Sequence, residues 1–338
     1  MPGEGPLSIH IHHLDMDELL EKAFARASEV ADKKRVVGLR PLVKARIKEK
    51  TRLKTASSQI TRSLGRLHQS IPPASEISPF YAGLLDVLGA GGLQDARREV
   101  GRVNSRIRRL TSEKLSKMDR ARTPENLHSI RRSTYGRISS QVRSLAPVSR
   151  YLAEVGPRLR ELPSIMPELP TLVIAGYPNV GKTTLLRALT GSAPEIRPIP
   201  FTTQKIHVGY MQFGWERVQV IDTPGLLDRP LEARNPVEMK AIGALEHLSN
   251  LVLFLVDPTT TGGFLLEDQL RLLDQIRESF STEILVAINK SDVATAQELG
   301  RAREELGEGA RFISAQTSEG IGELREEIST YLIESPPR

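Results

Sequence analysis

The sequence predicts two folds in series: an all-α helical bundle over residues 1–165, and a doubly wound, mostly parallel α/β domain over residues 166–338. Three observations carry this. Apolar residues recur at steps of three and four through the first half. After about residue 170 they gather instead into short, continuous, β-branched runs separated by helical patterns. The first of those runs opens into a glycine-bearing turn followed at once by a helical segment.

The helices come in order. Leu20, Phe24, Ala27 and Val30 trace one apolar stripe, and Leu53, Ala56, Ile60, Leu64 and Leu67 a second, with Gly38 and Pro41 between them. Pro72-Pro73 ends the second stripe. A short segment carrying Phe80, Tyr81, Leu84 and Leu88 closes at Gly89 and Gly91-Gly92, and Ala96, Val100, Val103, Ile107 and Leu110 form the next helix. Thr123-Pro124-Glu125 supplies a capping hydroxyl and a proline at the first helical position, opening a helix through Leu127, Ile130, Ile138, Val142 and Leu145, and a further helix follows Pro147. Four or five helices with short connections imply an antiparallel bundle. In the second half TLVIAG, VQVID, LVLFLVD, ILVAIN and the shorter RFISA read as parallel strands. KIHVGYMQF, joined to WERVQVID through Gly214, reads as the one antiparallel neighbour.

Composition limits the chemistry. There is no cysteine, which excludes structural disulfides, thiolate metal sites and thiol nucleophiles, and fits a reducing, cytoplasmic setting. The first residues lack a basic segment followed by an apolar core, so no secretory signal is expected, and no apolar run of about 18 residues implies a membrane span. The net charge of +6 is divided unevenly: residues 1–170 hold 31 basic against 18 acidic side chains, a net of +13, and residues 171–338 hold 16 against 23, a net of −7. Residues 101–150 alone carry 13 basic and 3 acidic side chains, a density that attracts polyanions.

The turn after the first strand is Gly176-Tyr177-Pro178-Asn179-Val180-Gly181-Lys182-Thr183, a complete G-x-x-x-x-G-K-[ST] pattern leading into Thr184 and a helix. Such a loop cradles phosphates with main-chain N–H groups, aided by the positive end of the helix. Lys182 would reach the β and γ phosphates and Thr183 would ligate Mg²⁺. Asn289-Lys290-Ser291-Asp292 ends another strand, and a buried Asp292 carboxylate can accept from both N1–H and the 2-amino group of guanine, a donor pair adenine lacks. Ser314-Ala315, after the last strand, fits a backbone contact to guanine O6. The second half therefore reads as a P-loop G domain binding GTP and GDP.

Asp222-Thr223-Pro224-Gly225 ends a third strand, where Asp222 can hold Mg²⁺ through water and Gly225 can offer its N–H to the γ phosphate. Phe201-Thr202-Thr203 supplies a metal-binding hydroxyl, with Thr203 favoured over Thr202. Loss of the γ phosphate would release both loops, giving a switch. The catalytic set is thus Lys182, Thr203, Gly225 and Asn179. Leu226 follows Gly225 where a water-orienting glutamine could stand, so intrinsic hydrolysis should be slow. The side-chain oxygen of Asn179 can coordinate K⁺ beside the phosphates and supply charge there; the alternative is that it hydrogen-bonds within its own loop.

In the helical half Arg98, Arg102, Arg106 and Arg109 recur along one helix face of about 16 Å, and Arg131 and Arg132 among others widen the patch. Such a face suits an RNA backbone. His10, His12 and His13 lie near the terminus with only Asp15 and Asp17 nearby, and read as no metal site.

With these residues in view, the chain resembles the Nog-type (nucleolar G protein) ribosome-assembly GTPases, related to the Obg class. GYPNVGKTT, PFTTQKIHVGYM, QVIDTPGLLDRPLEARN and INKSDV look like that family's signature, as do ISPFYAGLLDVL and YLAEVGPRLRELPSI upstream. The resemblance implies a helical bundle fused to a G domain that docks on large-subunit ribosomal RNA. Ending at Arg338, the chain looks like the short form found in archaea. Two other readings are a protein-binding module that uses nucleotide only to hold its fold, with negligible turnover, and a GTPase of RNA modification.

Overall fold

The computed structural model describes residues 9, 11, 14–160, 162–163, 165–198, 205–259 and 262–334. Its backbone divides into two units. Of the described residues, those within 9–76 and 89–160 form one, and 77–88 with those from 162 onward form the other.

The first unit is the helical bundle. Helix α1 (Met16–Asp32) starts where the Asp15 carboxylate accepts from the Asp17 and Glu18 N–H groups. Helix α2 (Pro41–Ser70) begins at Pro41, one of the two residues read as the break between the first stripes. Helices α4 (Leu93–Asp119), α5 (Pro124–Arg143) and α6 (Ala146–Leu159) complete the unit, and Thr123 caps α5 as expected by accepting from the Asn126 N–H. The predicted stripes form the core: Leu53, Ala56, Ile60 and Leu64 of α2 and Val100, Val103 and Ile107 of α4 are all fully buried. Two polar features are buried inside and a third is half-buried. Ser57 and Thr111 share a hydrogen bond of 2.7 Å. Tyr135 stacks on Phe24 and donates to the Arg52 carbonyl, and burial pushes its phenol up to about 12. Glu49 is wholly buried between Arg52 and Arg131.

The short helix α3 (Pro79–Val87) groups by its contacts apart from the other helices of the first half. The sequence assigns it to the bundle, yet it groups with the second unit, where it packs on α8 (Pro236–Leu248). Gly83 makes the approach possible: a Cβ there would stand 2.9 Å from that of Ala244. The Tyr81 hydroxyl accepts from the Ile165 N–H at 3.1 Å and lies within hydrogen-bond distance of the Pro163 and Ile165 carbonyls.

The second unit is built on a seven-stranded sheet in the order β2-β3-β4-β1-β5-β6-β7. Its strands are β1 (Thr171–Ala175), β2 (Glu195–Pro198), β3 (Lys205–Phe213), β4 (Glu216–Asp222), β5 (Leu251–Val256), β6 (Ile284–Ile288) and β7 (Arg311–Phe312). β1 lies between β4 and β5 and is parallel to both, so the chain winds outward in both directions from it. That reversal places the mouth of the site at the carboxyl end of β1. β3 pairs antiparallel with β4 through the predicted Gly214 turn. A second antiparallel pair, β2 with β3, was not expected. β2 is a four-residue edge strand whose Ile196 is largely exposed, so it carries no apolar run to mark it. Helices α7 (Lys182–Thr190), α9 (Leu266–Ser279), α10 (Ala296–Leu306) and α11 (Ile321–Ser329) connect or follow the parallel strands. Among the described residues no helix is long and apolar enough to cross a membrane.

Candidate functional site

Buried β1 ends at Ala175, and the chain turns through Gly176 to Gly181 into α7. Asn179 (φ 64°) and Gly181 (φ 102°) take left-handed conformations that fold the loop back. A side chain at Gly181 would strike the amide of Asn289. Asn289, just past β6, is itself buried; its Nδ2–H donates to the Val180 carbonyl at 2.8 Å, and its Oδ1 accepts from the Ala315 N–H at 2.9 Å. One side chain therefore joins the loops that follow β1, β6 and β7.

Lys182, the first residue of α7, is buried, and its Nζ donates to the Gly176 and Tyr177 carbonyls at 2.7 and 2.8 Å. Burial pushes the ammonium below the usual lysine range, while the charges of Asp222 and Asp228 oppose that shift. Thr183 donates from Oγ1 to Asp222 Oδ2 at 2.6 Å, and His207 Nδ1 lies 3.0 Å from the same oxygen. Asp222 Oδ1 is buried with no hydrogen bond among the described residues. A carboxylate oxygen held dry and unpaired beside a threonine hydroxyl fits a hard divalent cation. Val180 is buried and Thr184 exposed.

The structure answers several expectations differently. Asn179 is exposed, and its side chain makes no hydrogen bond to a described residue, contrary to the self-capping alternative. The Gly225 N–H, read as able to reach a γ phosphate, here donates to Asp228 Oδ2 at 2.6 Å. Leu226, in line with its reading as no water-orienting group, is fully buried. The Asp292 carboxylate, expected to be buried, is exposed, because Asp292 and Val293 lie on the surface of the turn before α10. The Ala315 N–H, expected to face a base, is held by Asn289, while Ser314 is buried and its Oγ accepts from the Thr317 N–H. Lys290, at φ 61°, pairs with the buried Asp257. Thr202 and Thr203 lie outside the described residues, as do His10, His12 and His13.

Asp228, Arg234 and Asp257 escaped the sequence reading. Asp257 had a signal, since it ends the LVLFLVD run just as Asp222 ends VQVID. Arg234 had none: a lone arginine in a polar loop reads as solvated, yet its side chain is entirely buried.

In the bundle, Arg98, Arg102, Arg106 and Arg109 all lie exposed on α4. Arg98 and Arg102 pair within the helix with Asp95 and Glu99. Arg106 and Arg109 make no ion pair with a described residue, and with Arg137 they line a cavity of about 310 Å³. Lys117, Arg120 and Arg122 line a neighbouring one of about 850 Å³. Arg132 is exposed. Arg131 leaves the patch: its guanidinium is committed to the buried Glu49 and lies over the Tyr135 ring. Arg97 is likewise engaged, donating to the His68 and Ile71 carbonyls.

Family models match both the helical and the α/β part of the chain. A family model described as the NOG1 N-terminal helical domain matches residues 12–165, and one described as a 50S ribosome-binding GTPase matches residues 171–290. An uncharacterized protein of Methanocaldococcus jannaschii is 40% identical over 82% of this chain and 78% of its own length. Nucleolar GTP-binding protein 1 of Encephalitozoon cuniculi is 33% identical over 75% of this chain and 48% of its own, and that of Saccharomyces cerevisiae 31% over 79% and 43%. The chain thus spans less than half the length of these nucleolar relatives. On its two joined halves and these likenesses, the chain belongs to the nucleolar GTP-binding protein 1 family.

Proposed function

We propose that this chain is a GTP-binding and GTP-hydrolysing switch that acts in the cytoplasm in assembly of the large ribosomal subunit, its basic helical unit contacting ribosomal RNA. The observation that carries the nucleotide reading is the Asn289 bridge, which joins the phosphate loop to the two loops that would read the base. Asp292, exposed on the same loop, then distinguishes guanine from adenine when the base covers it.

Lys182 exchanges its loop carbonyls for phosphate oxygens, trading neutral acceptors for charged ones. Thr183 and Asp222, with Thr203, would hold Mg²⁺, which neutralises developing charge on the phosphates when bound. Asn179, exposed and uncommitted, is suited to a K⁺ ion beside them. With Leu226 buried, no side chain at that position orients water, so turnover is slow until a partner supplies the missing group.

The RNA reading rests on Arg106, Arg109 and Arg132, joined by Lys117, Arg120, Arg122 and Arg137, with Arg98 and Arg102 contributing less because they are paired. The test is single-turnover GTP hydrolysis with and without large ribosomal subunits, in K⁺ and in Na⁺, together with co-sedimentation across a salt series. Stimulation by subunits and by K⁺, with salt-sensitive binding, supports the reading. Equal rates in K⁺ and Na⁺ remove the role of Asn179, and binding without turnover favours a nucleotide-stabilised protein-binding module.

A further inference from the structure

The loop after β4 is closed on itself by two charged side chains. The Leu226 N–H donates to the Thr223 carbonyl at 3.1 Å, and the Gly225 N–H donates to Asp228 Oδ2 at 2.6 Å. Arg234 holds the other side of this arrangement. Its guanidinium donates to Asp228 Oδ1 at 3.1 Å, to the Arg229 carbonyl at 3.2 Å and to the Gly225 carbonyl. The Arg234 side chain is wholly buried and that of Asp228 is 13% exposed, so neither is a surface pair fluctuating in solvent. The loop is also fastened to the phosphate loop, since the Gly176 N–H donates to the Leu227 carbonyl at 2.9 Å. Asp228 and Asp222 are the two acids whose charge acts on Lys182.

We propose that Asp228, fixed by Arg234, sets the preference of this site between tri- and diphosphate by competing with a terminal phosphate for the Gly225 N–H. This rests on the guanine-nucleotide reading above. A γ phosphate seeking that N–H meets a carboxylate already bonded to it, and the two anions repel beside Lys182. A diphosphate has no group to place there and leaves the Asp228 bond intact. The competition lowers the affinity for GTP relative to GDP, so the loop exchanges Asp228 for phosphate only when other contacts favour the triphosphate form. Arg234 is a positioning residue in this scheme, acting through Asp228 and through the loop carbonyls it holds.

The test measures the affinities of GDP and of a non-hydrolysable GTP analogue, both with Mg²⁺, for the full chain and for Asp228→Asn and Asp228→Ala. Asparagine keeps the shape. Its single amide oxygen is drawn to Arg234, which turns its NH₂ toward the Gly225 N–H and breaks the bond without emptying the site. Both variants are expected to raise the ratio of analogue to GDP affinity by about tenfold, the scale of one charge-assisted hydrogen bond. A ratio within about twofold of the parent chain, with GDP still bound, overturns the proposal. Loss of GDP binding in Asp228→Asn overturns it too, by making Asp228 a support of the pocket instead of a competitor. A parent chain that binds neither nucleotide removes the underlying reading, and the proposal with it.

Discussion

Replacing Asn289 by alanine should damage the site more than any exposed change, because two buried backbone groups depend on its amide. The Val180 carbonyl loses its donor at 2.8 Å and the Ala315 N–H its acceptor at 2.9 Å, and neither can turn to water while the loops stay closed. An unpaired buried group costs about 1–3 kcal/mol, so the pair amounts to roughly 2–4 kcal/mol after partial relaxation. For a unit of this size that lowers the thermal midpoint by about 5–10 °C. Calorimetry of the full chain, following the transition that GDP raises, reads this directly. GDP affinity should fall in parallel, since the same bridge aligns the phosphate and base loops. Gly181→Ala drives a methyl into the same amide, so the double variant should lose less than the two single losses combined. A midpoint within about 1 °C of the parent, with GDP affinity unchanged, would refute the bridge.

Other predictions concern the bundle. Glu49→Gln leaves Arg52 and Arg131 without a buried counter-charge and should destabilise the unit by about 3 kcal/mol in denaturant unfolding, whereas Arg132→Ala should be nearly neutral. Burial and then the nearby Arg97 hold the His68 imidazole below its ordinary 6.5, so the unfolded chain takes up its proton first. Stability should therefore fall as pH drops through about 6.5, and His68→Gln should flatten that part of the profile. Replacing Arg106, Arg109 and Arg137 together by alanine should reduce the slope of log affinity against log salt for RNA by about 2–3, from the counterions no longer released. Arg131→Ala should change stability and leave that slope alone.

Local signals survived into the structure, and distant pairings did not. The G-x-x-x-x-G-K-[ST] pattern sits between strand and helix because both flanking elements have their own apolar rhythm. The stripes on α2 and α4 became core for the same reason. The partner of a charge was invisible: Arg131 and Arg132 are adjacent and alike in sequence, and only the fold brings Glu49, some eighty residues away, onto the first. The allegiance of α3 was hidden likewise, since an apolar helix face does not name the surface it meets and Gly83 reads as a weak helix former until Ala244 is set against it. At the site the missed residues were those that bind other protein groups. Asp228 and Arg234 act on a backbone N–H and a carbonyl, partners that carry no side-chain signature.

The most direct measurement is a competition titration in which labelled GDP, bound to the full chain with Mg²⁺, is challenged in turn by GTP and by ATP. The account requires that GTP displace the label and that ATP fail at concentrations many orders higher. Displacement by both at comparable concentrations would mean that no carboxylate at position 292 reads the base, and the assignment of this pocket to guanine nucleotides would be wrong.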